Sequence, residues 1–352
     1  MKIAHLVLGR AAPASLRGAV LTRDVDVHGE RWAKGRRLTI DDLRRVATAL
    51  AQPGRPITVL IPDASDIHED DAAQRIAEAV AGSGLAMSDP AQSRIDLRAT
   101  HDGLVRIDVR VLDRVNAIDA VEVFTILDGR IVETGAIVAS VKVAPHLIPD
   151  AQVANAERTA ARAGSRGVIS IAPFQPRRVA VIVKESIRGI ARARFEASIR
   201  AKIEGLGSRL VGIDYVDDAV GPVAAALNTR ARGRGQGRAD LILTAGSGST
   251  DPDDPFFVAI GDLGGRIVSH GIPAHPGSML WLGALGRVPI LGLPSCGAYS
   301  KATAADLLLP NLLAGATVSR RTVARLGHGG ILTRDQRFRF PAYARELDAP
   351  DG

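Results

Sequence analysis

The chain reads as an α/β protein, with a carboxy-terminal domain on a doubly wound, mostly parallel sheet preceded by a mixed α+β domain. Three observations predict this. From about residue 178 onward, short apolar runs alternate with stretches of helical length, the rhythm of a parallel sheet covered by helices on both faces. Between residues 94 and 143, apolar and polar residues instead alternate one by one, as half-buried strands do. In the second half the apolar runs break into Gly-, Ser- and Pro-rich corners, where the backbone turns sharply and can approach a ligand.

Taken in order, Thr39 is placed to cap a helix over 40–50, with Asp41 and Asp42 in its first turn complementing the helix dipole. Residues 57–61 form a strand. Asp66-Ile-His-Glu-Asp-Asp opens a second helix that runs to Val80 and stops at Gly82-Ser-Gly84. His68, Glu69, Asp70 and Asp71 resemble a metal cluster, but neighbouring helical positions point apart, so capping is the favoured reading. Segments 94–99, 103–111, 120–127 and 131–143 read as strands, with Asp128-Gly129 as a turn.

A helix follows over 152–163. Then come strand 178–184, helix 191–206, strand 209–216, helix 220–230, strand 241–244, helix 255–263, strands 266–270 and 288–293, and a helix over 301–313. The expected domains are 1–150 (mixed α+β), 151–175 (helical linker), 176–315 (the α/β domain) and 316–352 (a short tail with a strand or two).

Composition narrows the function classes. The 46% apolar content of 352 residues supports sizeable cores. No apolar run approaches the roughly 18 residues of a membrane helix, no signal peptide is evident, and one cysteine allows no internal disulfide, so a cytoplasmic protein is expected. The net charge of +7 comes from scattered arginines, and 3% aromatics leave few platforms for stacking bases, so nucleic acid is not expected. Arg230, Arg232, Arg234 and Arg238, interleaved with Gly233, Gly235 and Gly237, read as a loop. Anionic small molecules suit this charge balance.

The most informative stretch is Asp240-Leu-Ile-Leu-Thr-Ala-Gly-Ser-Gly-Ser-Thr-Asp-Pro-Asp-Asp254, which reads as strand, small-residue turn and helix start. Such a turn presents backbone N–H groups to a ligand at the carboxyl end of a sheet. Asp251 and Asp253 suit a hard cation such as Mg²⁺ or the amino edge of a heterocycle, while a plain helix N-cap accounts for the acids equally well. Two more corners should reach the same edge: Gly271-Ile-Pro-Ala-His-Pro-Gly-Ser278 and Gly292-Leu-Pro-Ser-Cys-Gly-Ala-Tyr-Ser-Lys301.

These three corners resemble the molybdenum cofactor biosynthesis domain, the molybdopterin-binding fold of molybdopterin adenylyltransferases and molybdenum insertases. The resemblance spans about 176–315, and the first part of the chain is similar to the amino-terminal part of stand-alone molybdopterin-binding proteins. It implies a pterin-phosphate ligand held by Gly246, Ser247, Gly248, Ser249, Pro276, Gly277, Ser278, Pro294, Ser295, Cys296, Ser300 and Lys301. Asp253 and Asp251 would serve as catalytic or Mg²⁺-binding carboxylates. The family's Gly-Gly turn is Ala245-Gly246 here, and its insertase turn Leu-Pro-Gly-Asn-Pro is replaced by Leu293-Pro-Ser-Cys-Gly297.

What the resemblance implies is handling of molybdopterin in cofactor synthesis or delivery, with nucleotidyl transfer or molybdate insertion if catalytic. Implied partners are molybdoenzymes or other cofactor-synthesis proteins, and a homo-oligomer. The alternatives are a non-catalytic carrier or sensor, and a pyridine-nucleotide-processing enzyme of the competence-damage type. Cys296 reads equally as a small buried residue, His275 as a hydrogen-bonded loop histidine, His270 as a strand-end residue, and Ser186 as a helix cap.

Overall fold

A computed structural model describes residues 1–50, 56–91, 93–247, 250–293, 302–315, 317 and 319–345. The chain divides into two compact units, one of residues 1–128 and 132–172 and the other of residues 129–131 and 173–352. Among the described residues no helix is long and apolar enough to cross a membrane.

The first unit has two apolar cores. Residues between Leu6 and Val59 build one around the fully buried Trp32, and residues between Ala72 and Ile171 build the other. Helix Ile40–Thr48 begins at Thr39, whose hydroxyl accepts the Asp42 N–H while the Asp42 carboxylate accepts the Thr39 N–H, a reciprocal cap. Helix Glu69–Val80 buries Ala72, Ala73, Ile76, Ala77 and Val80. His68 caps it: Nδ1 accepts the Asp70 N–H, and the other ring nitrogen lies 2.7 Å from the Gly35 carbonyl. The expected strand over 103–111 is shorter than its alternation suggested. It ends at Ile107, Asp108 caps a helix at Val109–Asn116, and Val111, Leu112 and Val115 turn inward at helical spacing.

The second unit is a six-stranded sheet between two helical layers. In chain order it comprises β1 (Arg178–Val183), α1 (Gly189–Glu204), β2 (Arg209–Tyr215), α2 (Val220–Arg232), β3 (Leu241–Ala245) and α3 (Pro255–Asp262). It continues with β4 (Arg266–His270), β5 (Trp281–Leu285), β6 (Val288–Leu293) and α4 (Ala304–Leu313). The strand order is β2-β1-β3-β6-β5-β4.

Alternate residues of the central strands face opposite cores. Val179, Val181, Val183, Leu241, Leu243 and Leu291 pack toward α1 and α4. Ala180, Ile182, Ile242 and Ile290 pack toward α2 and α3. Strands buried on both faces therefore read as unbroken apolar runs.

The sheet is mixed rather than wholly parallel. β2, β1, β3 and β6 run parallel, but β5 pairs antiparallel with both β6 and β4. β5 was absent from the expected elements. Gly286-Arg287 joins Leu285 to its partner Val288 as a two-residue hairpin, with Gly286 at φ +61°, a conformation glycine adopts cheaply. The chain from Arg320 to Arg345, expected to hold a strand or two, forms short helical turns at Arg320–Ala324, Arg325–Gly327, Arg334–Arg339 and Ala342–Arg345. Val323, Leu332, Phe340 and Ala344 pack into the core shared with α1 and α4.

Trp281 anchors the other core, its ring edge-on to Phe257 at 5.1 Å and tilted against Phe256 at 6.1 Å. A Cβ at Gly292, paired opposite on β6, would enter the indole itself. With Phe256 and Phe257 closing the other side, the ring cannot yield. Gly292→Ala should therefore cost about 1–3 kcal/mol by overpacking, read as a lower urea midpoint at unchanged m-value.

Candidate functional site

The registers of the parallel strands define one carboxyl edge. Val183 pairs with Ala245, and Ala245 with Leu293. Trp281 pairs with Gly292 and with His270, so the loop 271–280 between β4 and β5 opens on that same edge. The corners after β1, β3 and β4 therefore share a rim, the usual place for ligands of α/β sheets.

The rim's strongest electrostatic feature is Lys184, the first residue past β1. Its Nζ lies 2.8 Å from Asp218 Oδ1 and 3.1 Å from Asp254 Oδ2. The side chains of Lys184 and Asp254 are 6% and 5% exposed, whereas that of Asp218 is 61% exposed. Burial opposes the ammonium charge most strongly, but the hydrogen bonds to Asp218 and Asp254 outweigh it and hold the pKa above the ordinary lysine value. Lys184 is thus a fixed cation at neutral pH, its charge taken up by Asp218 and Asp254, and it is unsuited to accepting a proton.

Asp254 has a second task. Its Oδ1 accepts the Phe256 N–H at 2.9 Å and caps α3, with Pro255 at the first helical position, where a missing N–H costs nothing. α3 thus starts at Pro255, where the expected helix over 255–263 begins. Asp251 folds the approach to the cap, its Oδ1 accepting the Asp253 N–H at 2.9 Å. Asp251 and Asp253 are both exposed at the rim. Among the described residues no three His, Cys, Asp or Glu side chains converge to hold a metal.

Gly246 is required by its surroundings. At φ +95° it occupies a region that side chains rarely enter, and a Cβ there would lie 2.5 Å from Glu185 Cγ and 3.1 Å from the Glu185 amide. The turn thereby presses directly on the Lys184–Glu185 corner, with Ser247 buried behind it.

The loop 271–280 is closed by hydrogen bonds from Ile272 N–H to the Ser278 carbonyl (3.0 Å) and from Leu280 N–H to the Gly277 carbonyl (3.1 Å). The Pro276 carbonyl accepts the N–H of Ala304, the first residue of α4, at 2.9 Å, and Gly277 at φ +115° has no room for a Cβ beside it. The carboxy-terminal segment straps the loop from outside: His275 N–H donates to the Gly330 carbonyl and the His275 carbonyl accepts from Leu332 N–H. His270 is a strand-end residue whose ring lies edge-on to Phe257 at 5.0 Å.

Gly246, Ser247, Asp251, Asp253, Pro276, Gly277 and Ser278 thus fall on corners of one edge. Gly248, Ser249, Pro294, Ser295, Cys296, Ser300 and Lys301 lie outside the described residues. Sequence reasoning missed Lys184 and Asp218, and it offered an N-cap role for the acids Asp251, Asp253 and Asp254 without singling out Asp254, which takes it. A lysine directly closing the apolar run Val179-Ala-Val-Ile-Val183 was the available signal.

Residues 178–314 match the family model described as a probable molybdopterin binding domain. This segment belongs to the molybdenum cofactor biosynthesis domain family. No curated protein matches the chain. Solved structures with some likeness include the molybdopterin biosynthesis moea protein from Pyrococcus horikosii, at 15% identity over 74% of this chain and 81% of that one, with a TM-score of 0.30. The molybdopterin biosynthesis enzyme MoaB from a Thermus species is 22% identical over 40% of this chain and 97% of its own, with a TM-score of 0.30. A molybdenum cofactor biosynthesis protein B is 15% identical over 44% and 93%, with a TM-score of 0.29. Superpositions this loose carry no argument.

In the cofactor-biosynthesis domain, Asp254→Ala strands a buried ammonium with one exposed partner and should cost about 3–5 kcal/mol. Asp218→Ala, at the exposed end of the same triad, should cost no more than about 1 kcal/mol. Urea unfolding of the two variants checks the contrast. The pH dependence has a definite sign. The folded-state pKa of Lys184 is raised, so the contribution is complete below the ordinary value of 10.5 and is lost as pH climbs through the higher folded value. Wild-type stability should fall more steeply above that pH than that of Lys184→Met, and parallel profiles would contradict the assignment.

Proposed function

We propose that the domain at 176–315 binds molybdopterin along the carboxyl edge of its sheet and acts in molybdenum cofactor synthesis or delivery. The observation that carries this reading is the side-chain-free corner at Gly246 on that edge, fixed from behind by the Lys184–Asp254 pair, within the segment matching the family model. Molybdopterin bears a terminal phosphate and a pterin with hydrogen-bond donors on its amino edge. On this reading the phosphate meets backbone N–H groups at the rim, while Lys184 stays paired with Asp218 and Asp254 and the exposed carboxylates of Asp251 and Asp253 accept from the pterin.

The same two carboxylates suit Mg²⁺, which keeps several waters and is commonly held by one or two protein carboxylates together with substrate phosphates. On this reading any chemistry is nucleotidyl transfer or molybdate insertion, driven by positioning and charge, since Lys184 is engaged by its carboxylates. Ser247, Pro276, Gly277 and Ser278 complete the proposed rim, with Gly248, Ser249, Pro294, Ser295, Cys296, Ser300 and Lys301 as further contacts. Molybdoenzymes or other cofactor-synthesis proteins are the proposed recipients, in the cytoplasm.

Anaerobic titration of the full chain with molybdopterin, followed by Mg²⁺-dependent turnover of ATP or CTP, tests this proposal. The expected result is saturable pterin binding, with Asp253→Ala binding more weakly and losing at least about 100-fold in turnover at saturating pterin. Binding without turnover in the wild type would mark a carrier and overturn the catalytic part. Absence of pterin binding would overturn the whole.

A further inference from the structure

The amino ends of the same strands carry a second charged feature. Arg178 and Arg209 open β1 and β2 side by side in register. Arg232, Arg234 and Arg238 come from the end of α2 and the glycine-rich connection to β3. Together with Gly233, Gly235 and Gln236, these five arginines line an open cleft of about 680 Å³, and no carboxylate lines it.

The cleft has a built frame. Arg178 forks onto Asp240 at 2.8 and 3.0 Å and reaches the Gly235 carbonyl at 3.4 Å. Arg230 forks onto Asp214 at 2.6 Å through both Nε and Nη2, and its remaining Nη1 donates to the Gly237 carbonyl at 3.0 Å. Arg232 donates to the Leu263 carbonyl at 2.6 Å. Those residues take up the nearby acids and the loop carbonyls. The side chains of Arg209, Arg234 and Arg238, all exposed, have no hydrogen-bond or ion-pair partner among the described residues. Like charges collected without counter-charges raise the potential of the empty cleft, and an anion relieves it.

We propose that this cleft is a binding site for a small anion carrying two or more linked phosphates. Guanidinium forks match phosphate oxygens bidentately, and several on one surface favour a polyphosphate over a single carboxylate. The volume is that of a small-molecule site. No aromatic side chain lines the cleft, so bases of a single-stranded nucleic acid find no stacking platform. Arg178 and Lys184 lie six residues apart on one extended run, roughly 20 Å, so this site is separate from the rim and does not rest on the pterin reading.

The test is calorimetric titration of the full chain with inorganic tripolyphosphate at low salt. The wild type should bind, and a variant combining Arg209→Ala, Arg234→Ala and Arg238→Ala should bind at least about tenfold more weakly. The single variants Arg234→Ala and Arg238→Ala, each removing an exposed side chain without a partner, should weaken binding measurably with unchanged thermal unfolding. Failure of the wild type to bind, or a triple variant that titrates like it, would overturn the proposal. So would a clear preference for a single-stranded oligonucleotide of equal charge over tripolyphosphate.

Discussion

The candidate site depends on the ion pair between Lys184 and Asp254. A lysine at the end of a fully buried strand loses most of its hydration, and its bonds to the equally dry Asp254 and to the exposed Asp218 compensate. That aspartate is in turn committed to capping α3. The pair therefore ties the carboxyl end of β1 to the amino end of α3 across the intervening β3 turn. Gly246 packs against the same corner, with Glu185 and the Lys184 stem leaving no room for a side chain. A hydrophobic pair of similar volume would stabilise the fold as well. What the ionic pair adds is a positive charge whose position does not depend on solvent or on a flexible stem.

Much of the fold was legible because its signals are local. Thr39 announces a helix through a cap that needs only its own neighbours, and Val179 to Val183 announces a doubly buried strand through uninterrupted apolarity. The misreadings have physical causes too. After Ile107 the alternation of Asp108-Val-Arg-Val suits a strand and a short helix alike, and the Asp108 cap with inward Val111 and Val115 settles the matter for the helix. β5 escaped because Trp281-Leu-Gly-Ala-Leu285 carries two small residues and little periodicity, although its Gly286-Arg287 turn was a readable hairpin signal. That strand makes the sheet mixed.

At the site, the Gly/Pro corners were visible as composition, and their shared edge follows from strand register, which no local pattern encodes. Asp251 and Asp253 drew attention because the family resemblance falls on them, whereas Asp254 is the acid the fold buries and uses. Sequence adjacency cannot separate three neighbouring carboxylates by burial. Nor could it reveal that Lys184 and Asp254, seventy positions apart, meet at 3.1 Å.

The two ends of the parallel strands differ in charge: an ammonium taken up by its aspartates at the carboxyl edge, and several open guanidinium groups at the amino edge. Hydrogen exchange of the full chain with and without molybdopterin tests most directly which edge serves the pterin. The account predicts protection confined to 184–187, 246–255, 271–280 and 294–301. Protection concentrated at 233–238, or none at those corners despite saturation, would contradict it.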